Sequence, residues 1–199
     1  HDLERLGPSR RVLGVIRPTV EVVPSITTNG HIGILATPAT VQSQSYLMEL
    51  AKINAEREQA GQPALVVSQQ ECPMWVPLIE SGEHNQSGAD YFIDLYLRRL
   101  FAQDETIDTL VLGCTHYPLL REPIARHLTA MGRGEVQIIA QGALVADSLA
   151  DYLQRHAEYR EQLSEEGSCI YLTTENADRF AQSASTFLGS SIEAQHIDL

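Results

Sequence analysis

At 199 residues, with 43% hydrophobic and 20% charged residues, the chain has the length and composition of a folded globular protein of one or two domains. A formal net charge of −12 excludes a reader of the phosphate backbone, so no nucleic-acid partner is expected. The apolar runs are as short as single strands and no basic-then-apolar leader precedes them, which predicts a cytoplasmic protein with no membrane partner.

The chain opens without a methionine, as an internally cut sequence would, on a polar segment holding Arg10 and Arg11. Val12 to Ile16 then reads as a short buried strand ended by Pro18. From Gly30 strands and helices alternate: a strand from Ile32 to Ala36, then a helix from Pro38 through about Gln59 with Val41, Leu47, Leu50, Ala51 and Ile53 on its apolar side. The turn Gly61-Gln62-Pro63 leads into a strand from Ala64 to Ser68, and a Pro-punctuated aromatic segment runs to Gly82. Ile93, Tyr96, Leu97 and Leu100 recur at helical spacing between Gly88 and Phe101. Thr109 to Leu112 is a strand, Leu119 to Met131 a helix, Val136 to Ala140 a strand and Ala143 to His156 a helix. The polar stretch from Glu158 to Glu166 predicts a loop or frayed helix end, followed by a strand from Ile170 to Thr173 and a helix from Glu175 to Leu188. Such alternation with right-handed crossovers predicts an α/β fold with doubly wound parallel sheets.

The most informative run is Thr109-Leu110-Val111-Leu112-Gly113-Cys114-Thr115-His116-Tyr117-Pro118, a buried strand that stops at a thiol beside an imidazole. Ligands of open α/β sheets sit at the carboxyl ends of strands, so Cys114 is placed where chemistry is done. On the residues alone, a buried structural cysteine next to a surface histidine remains an equal reading. Upstream, Thr37-Pro38-Ala39-Thr40 follows a strand and opens a helix, with Thr37 as N-cap and Pro38 at the first helical position. That start is either a plain cap or a seat for a carboxylate. The remaining cysteines, Cys72 and Cys169, have neither zinc nor disulfide spacing and read as structural thiols. His84, His127, His156 and His196 read as surface histidines, Trp75 and Tyr96 as packing aromatics, and no metal cluster or phosphate loop is spelled out.

Gly-Cys-Thr-His-Tyr-Pro resembles the second cysteine motif of the glutamate racemases, within the aspartate/glutamate racemase superfamily. Residues 33 to 41, 72 to 82 and 142 to 147 resemble the same family in order, whereas the family's opening Asp-Ser-Gly loop and Ala-Cys-Asn-Thr motif do not occur. The resemblance implies two similar α/β lobes, the first discontinuous and here incomplete. Residues 30 to 130 would form the second lobe, and 1 to 29 with 131 to 199 the remnants of the first. Exposed apolar edges would then favour rearrangement, self-association or swapping.

The implied reaction is cofactor-independent interconversion of L- and D-glutamate by two cysteines, one abstracting the α-proton and the other donating on the opposite face, with the product supplied to peptidoglycan. Cys114 is the thiol present, its pKa expected to be lowered by His116 and the following helix start. The resemblance assigns His116 to proton transfer and Glu80 to orienting it, although Glu80 on its own reads as a solvated loop charge like Glu83. Thr40, Thr37 and Thr115 are assigned to the substrate. A homodimer is allowed by the family. Two other readings stay open: a non-catalytic truncated amino-acid-binding or interaction domain, and an aspartate or hydantoin racemase, against which Thr115-His116 favours glutamate.

Overall fold

The computed structural model describes residues 14–163 and 167–198. Four parallel strands, β1 (His31–Ala36), β2 (Val66–Glu71), β3 (Thr109–Leu112) and β4 (Gln137–Ala140), form one sheet in the order β2-β1-β3-β4. Ile32 pairs with Val67 on one side and Thr109 on the other, and Leu110 pairs with Ile138.

Alternation along the central strands fills both faces. Leu35, Leu110 and Leu112 point to a core built with Trp75, Ile93, Leu97, Leu100, Tyr117, Leu120 and Ile124. Ile32, Ile34, Ala36, Val111 and Ile139 point to the other, with Val20, Val23, Tyr46 and Leu50. The first face is covered by α4 (Trp75–Glu80), α5 (Ser87–Gln103), a 3-10 turn (Tyr117–Leu120) and α6 (Arg121–Ala130). The second is covered by α1 (Ile16–Ile26) and α3 (Ser45–Gln59), giving a helix-sheet-helix arrangement. Gly33 suits this packing, since a Cβ there would lie 2.7 Å from Leu100 Cδ2 and 2.8 Å from Leu110 Cδ2 and would force those side chains to shift.

Several elements differ from the sequence expectation for identifiable reasons. The expected strand from Val12 to Ile16 has its first two residues outside the described ones, while Ile16 begins α1. Pro18 stands in the first turn of α1, where a missing N–H is tolerated, so it marks a helix start and not a strand end. The single helix expected from Pro38 to Gln59 is two, α2 (Pro38–Gln42) and α3, separated by Gln44 in the left-handed region at φ 54°. Strand β2 begins at Val66 and runs on through Ser68-Gln69-Gln70-Glu71, a polar run tolerated because β2 is an edge. Leu65 just before it is held by a backbone exchange with the Asn54 amide at 2.7 and 3.0 Å. The aromatic segment contains the short helix α4, again with a proline, Pro77, in its first turn.

The four-stranded sheet continues past residue 130, because Thr109↔Gln137 through Leu112↔Ala140 pair β4 with β3. The helix α7 (Gln141–Arg155) follows it directly. The described residues divide into two compact units, one ending at Tyr152 and the other beginning at Leu153. In the second, α8 (Ala157–Arg160) takes up the start of the stretch expected as a loop or frayed helix end, whose residues 164–166 lie outside the described ones, and β5 (Tyr171–Thr173) pairs in parallel with β6 (Ala194–His196), a strand the sequence did not announce. Between them α9 (Ala177–Leu188) is capped by Asn176, whose side chain accepts from Arg179 N at 2.9 Å, and ends on Gly189 at φ 67°. Among the described residues no helix is long and apolar enough to cross a membrane.

Candidate active site

The strand order creates the site. From β1 the chain crosses to β2 on one side, then returns to β3 on the other, so the connections diverge above the carboxyl ends of β1 and β3. Such a switch point leaves a crevice. Leu35 pairs with Leu112, and Gly113 N–H donates to Leu35 O at 2.8 Å, so the segments beginning at Thr37 and Cys114 leave the sheet side by side.

Cys114, half-buried, follows Gly113 directly. Its Sγ lies 3.9 Å from His116 Nδ1, and His116 Nε2 lies 3.2 Å from Glu80 Oε1. With Nε2–H donating to the Glu80 carboxylate, Nδ1 carries the lone pair and faces the thiol as an acceptor. Thr115 Oγ1 stands 3.5 Å from the same Nδ1. The arrangement is a carboxylate-imidazole-thiol series along which a proton can move from sulfur to nitrogen.

Glu80 reaches His116 across a sequence separation of 36 because of aromatic packing beneath the site. The Trp75 ring, fully buried at the start of α4, meets Tyr117 edge-on at 4.8 Å and Tyr96 at 5.8 Å. Tyr117 Oη also donates to Cys72 O at 3.2 Å. These contacts lock α4 against the 3-10 turn that follows His116, and the last residue of α4 is Glu80. The sequence expectation that brought Cys114, His116 and Glu80 together therefore has a geometric counterpart.

The electrostatics differ from the expectation. Burial pushes the Cys114 thiol above its ordinary range; the backbone N–H groups of His116 and Tyr117 and the Thr115 hydroxyl oppose this, while the Glu80 charge reinforces it. The expected lowering rested on His116 and the following helix start, and desolvation outweighs such effects here.

Thr37 is the expected N-cap of α2: its Oγ1 accepts from Thr40 N at 3.3 Å and lies 2.9 Å from Thr40 Oγ1. The two hydroxyls thus form a polar lip on the β1 side of the crevice, and Thr115 offers an exposed hydroxyl on the β3 side. Of the other cysteines, Cys72, the residue after β2, is fully buried, its N–H bonded to Ala36 O at 2.8 Å, as a structural residue would be. Cys169 is exposed, which removes the burial rationale for its structural assignment. His127 is tied to Asp90 at 3.2 Å, His156 to Glu158 at 3.0 Å and His196 to Asp198 at 3.3 Å, while His84 buries an Nδ1 without a hydrogen-bond partner. Among the described residues no group of three or more His, Cys, Asp or Glu side chains is placed to hold a metal ion.

Two residues near the site carried no sequence signal: Tyr46, whose ring lies against Gly113, and Gln141, which bonds to it. Gly113 itself was the available clue, because a glycine before a reactive residue implies a close neighbour.

No protein-family model matches the chain. Individual proteins do. The chain is 37% identical over 191 residues to the glutamate racemase of Streptococcus uberis, covering 94% of this chain and 66% of that protein. To the glutamate racemase of Lactiplantibacillus plantarum it is 35% identical, covering 94% of this chain and 64% of that protein. The chain is similar to glutamate racemases along nearly its whole length. Among solved structures, glutamate racemase isoform RacE1 from Bacillus anthracis superposes with a TM-score of 0.80 at 28% identity, covering 99% of this chain and 68% of that one. The glutamate racemase of Francisella tularensis, solved in complex with D-glutamate, gives a TM-score of 0.77 at 26% identity over 99% of this chain and 66% of that one. The chain thus spans slightly less than two thirds of the first two racemases named above, and its α/β fold is that of the solved ones.

Proposed function

We propose that the crevice between β1 and β3 takes glutamate and that Cys114 exchanges its α-proton, as one of the two thiols of a glutamate racemase. The observation that carries this is the Glu80-His116-Cys114 series at the switch point, in a chain similar to glutamate racemases over 94% of its length. The α-proton of an amino acid is weakly acidic because the adjacent carboxylate resists further negative charge. A base is therefore needed that is strong when formed and held in a dry, preorganised site. A half-buried thiol meets that need: once His116 Nδ1 takes its proton, the thiolate left behind is poorly solvated and basic. The hydroxyls of Thr37, Thr40 and Thr115 would hold the substrate's carboxylates, supplying local donors in a chain of net charge −12.

Inversion also needs an acid on the opposite face of the carbanion. Cys72 is sealed in the core and Cys169 stands in Ser168-Cys169-Ile170-Tyr171, which leads into β5, so neither is assigned that part, and these 199 residues are expected not to invert glutamate alone. The division into a second lobe of residues 30–130 and first-lobe remnants belongs to the same proposal, with β4 added to the second lobe. So do a cytoplasmic location, cofactor independence, a homodimer and delivery of D-glutamate to peptidoglycan.

The test is proton NMR of the chain with L- and, separately, D-glutamate in D2O. The expected result is loss of the α-proton signal of one enantiomer, abolished in Cys114→Ala, without optical inversion. Equal rates in both proteins overturn the assignment of Cys114. A second reading, a glutamate-binding domain without catalysis, is favoured by the raised thiol and the 3.9 Å gap to His116, and predicts saturable binding with no exchange.

A further inference from the structure

The carboxyl end of β3 is braced from behind by a pair of residues that the proton-transfer series does not include. Gln141, the first residue after β4, is one of the few buried polar side chains, 8% exposed. Its Nε2 donates to Tyr46 Oη at 2.6 Å and lies 3.4 Å from Val15 O. Tyr46, 1% exposed, stands at the second position of α3, and its ring is so close to Gly113 that a Cβ there would meet Tyr46 Cε2 at 3.1 Å. The other walls of that space are Ala36 Cβ and Leu35 O, each at 3.2 Å, so the Gly113 backbone is held between β1 and the Tyr46 ring. Tyr46 reaches this place because the chain turns at Gln44, the one non-glycine residue with positive φ among those described. A left-handed glutamine is strained, and such strain persists only where surrounding structure fixes it.

We propose that Tyr46 and Gln141 are positioning residues for Cys114: their hydrogen bond clamps the Gly113-Cys114 peptide and so fixes the direction and the partial burial of the thiol. The clamp acts through backbone packing and touches no substrate. It rests on the reading of Cys114 as the proton-transfer group, but its consequence for the thiol can be measured without substrate. Releasing the clamp should let water reach the sulfur, reducing the desolvation that holds the thiol up, so that thiolate forms at lower pH. Burial, and after it the neighbouring Cys114, likewise push the Tyr46 hydroxyl up, in keeping with the proximity of the two groups.

The experiment is iodoacetamide labelling of Cys114 against pH, read by peptide mass spectrometry in a Cys169→Ser background, for Tyr46→Phe, Gln141→Leu and the double variant. Ile124→Val, a core change across the sheet, serves as the stability comparator. The expected result is labelling about threefold or more faster in each single variant, with the pH midpoint moved down and no further change in the double variant. An unchanged rate and midpoint in Gln141→Leu overturn the proposal, as does an equal acceleration in Ile124→Val. If Tyr46→Phe loses its near-ultraviolet dichroism, Gln141→Leu alone decides, since it leaves the tyrosine ring in place. Failure of glutamate exchange with altered labelling would count against the racemase reading and leave the clamp standing.

Discussion

The two ends of the sheet carry polar clusters of opposite character. At the amino end Asp108, just before β3, accepts from Thr27 Oγ1 at 2.6 Å, Thr28 N at 2.6 Å, Thr28 Oγ1 at 2.7 Å, Asn29 N at 2.9 Å and Thr109 Oγ1 at 2.9 Å. Beside it Asp104 takes His31 Nδ1 at 2.6 Å and the Thr106 hydroxyl at 2.6 Å. Every one of these contacts is short, and the carboxylates' capacity is consumed within the chain. At the carboxyl end the contacts that join Cys114, Thr115 and Glu80 to the His116 ring are 3.9, 3.5 and 3.2 Å, and the Glu80 side chain is 60% exposed. A saturated cluster stabilises the fold, whereas a loosely made one facing a crevice keeps donors and acceptors for a ligand.

The largest expected effect at the carboxyl end is that of Cys114→Ala, which should lower α-proton exchange by at least about a hundredfold, measured by NMR, while leaving the unfolding midpoint within a few degrees. At the amino end Asp108→Ala should do the reverse. It strands the part-buried Thr27 and Thr109 hydroxyls and should cost about 1–3 kcal/mol in urea unfolding. Its effect on exchange per folded molecule should be less than about twofold. An Asp108 variant that lost exchange without losing stability would erase the distinction between the two ends.

Glu80→Gln sharpens the comparison: it keeps shape but removes the charge that orients His116, and should slow exchange about tenfold at neutral pH. Acid titration supplies the smallest effect. Burial would raise the Asp104 carboxyl, but bonds from Thr106 and His31 outweigh it and hold it at about 2. Burial likewise opposes, and the Thr27, Thr28 and Asn29 donors outweigh, at Asp108, which is held well below the usual carboxylate range. Each folded pKa is below the unfolded value of about 3.9, so the stabilisation is present above about pH 4 and lost as pH falls toward and below about 2. Asp104→Asn should flatten the dependence of stability on pH between those limits; an unchanged slope would show the carboxylate unperturbed.

What the sequence disclosed follows from which signals are local. The strand Thr109–Leu112 was legible because its four residues, all buried in the structure, end abruptly on a glycine. The cap Thr37-Pro38 was legible for the same reason. The break at Gln44 was not, since glutamine carries none of the preference for positive φ that glycine or asparagine would have shown. Nor was the polar half of β2, where edge placement, a property of the whole sheet, overrides local propensity. At the site the identities of Cys114, His116 and Glu80 came from motif resemblance, but the direction of the thiol's shift depends on burial, which only the assembled fold supplies. The pairing of Tyr46 with Gln141 spans 95 positions and has no pattern at either end.

The most direct measurement is a titration of D- and L-glutamate into the isotopically labelled chain, followed by amide chemical shifts. The account predicts saturable shifts at Thr37, Thr40, Gly113, Cys114 and Thr115, with Thr27, Thr28, Asp104 and Asp108 unmoved. Shifts confined to the amino end, or none at saturating glutamate in a folded chain, would contradict it.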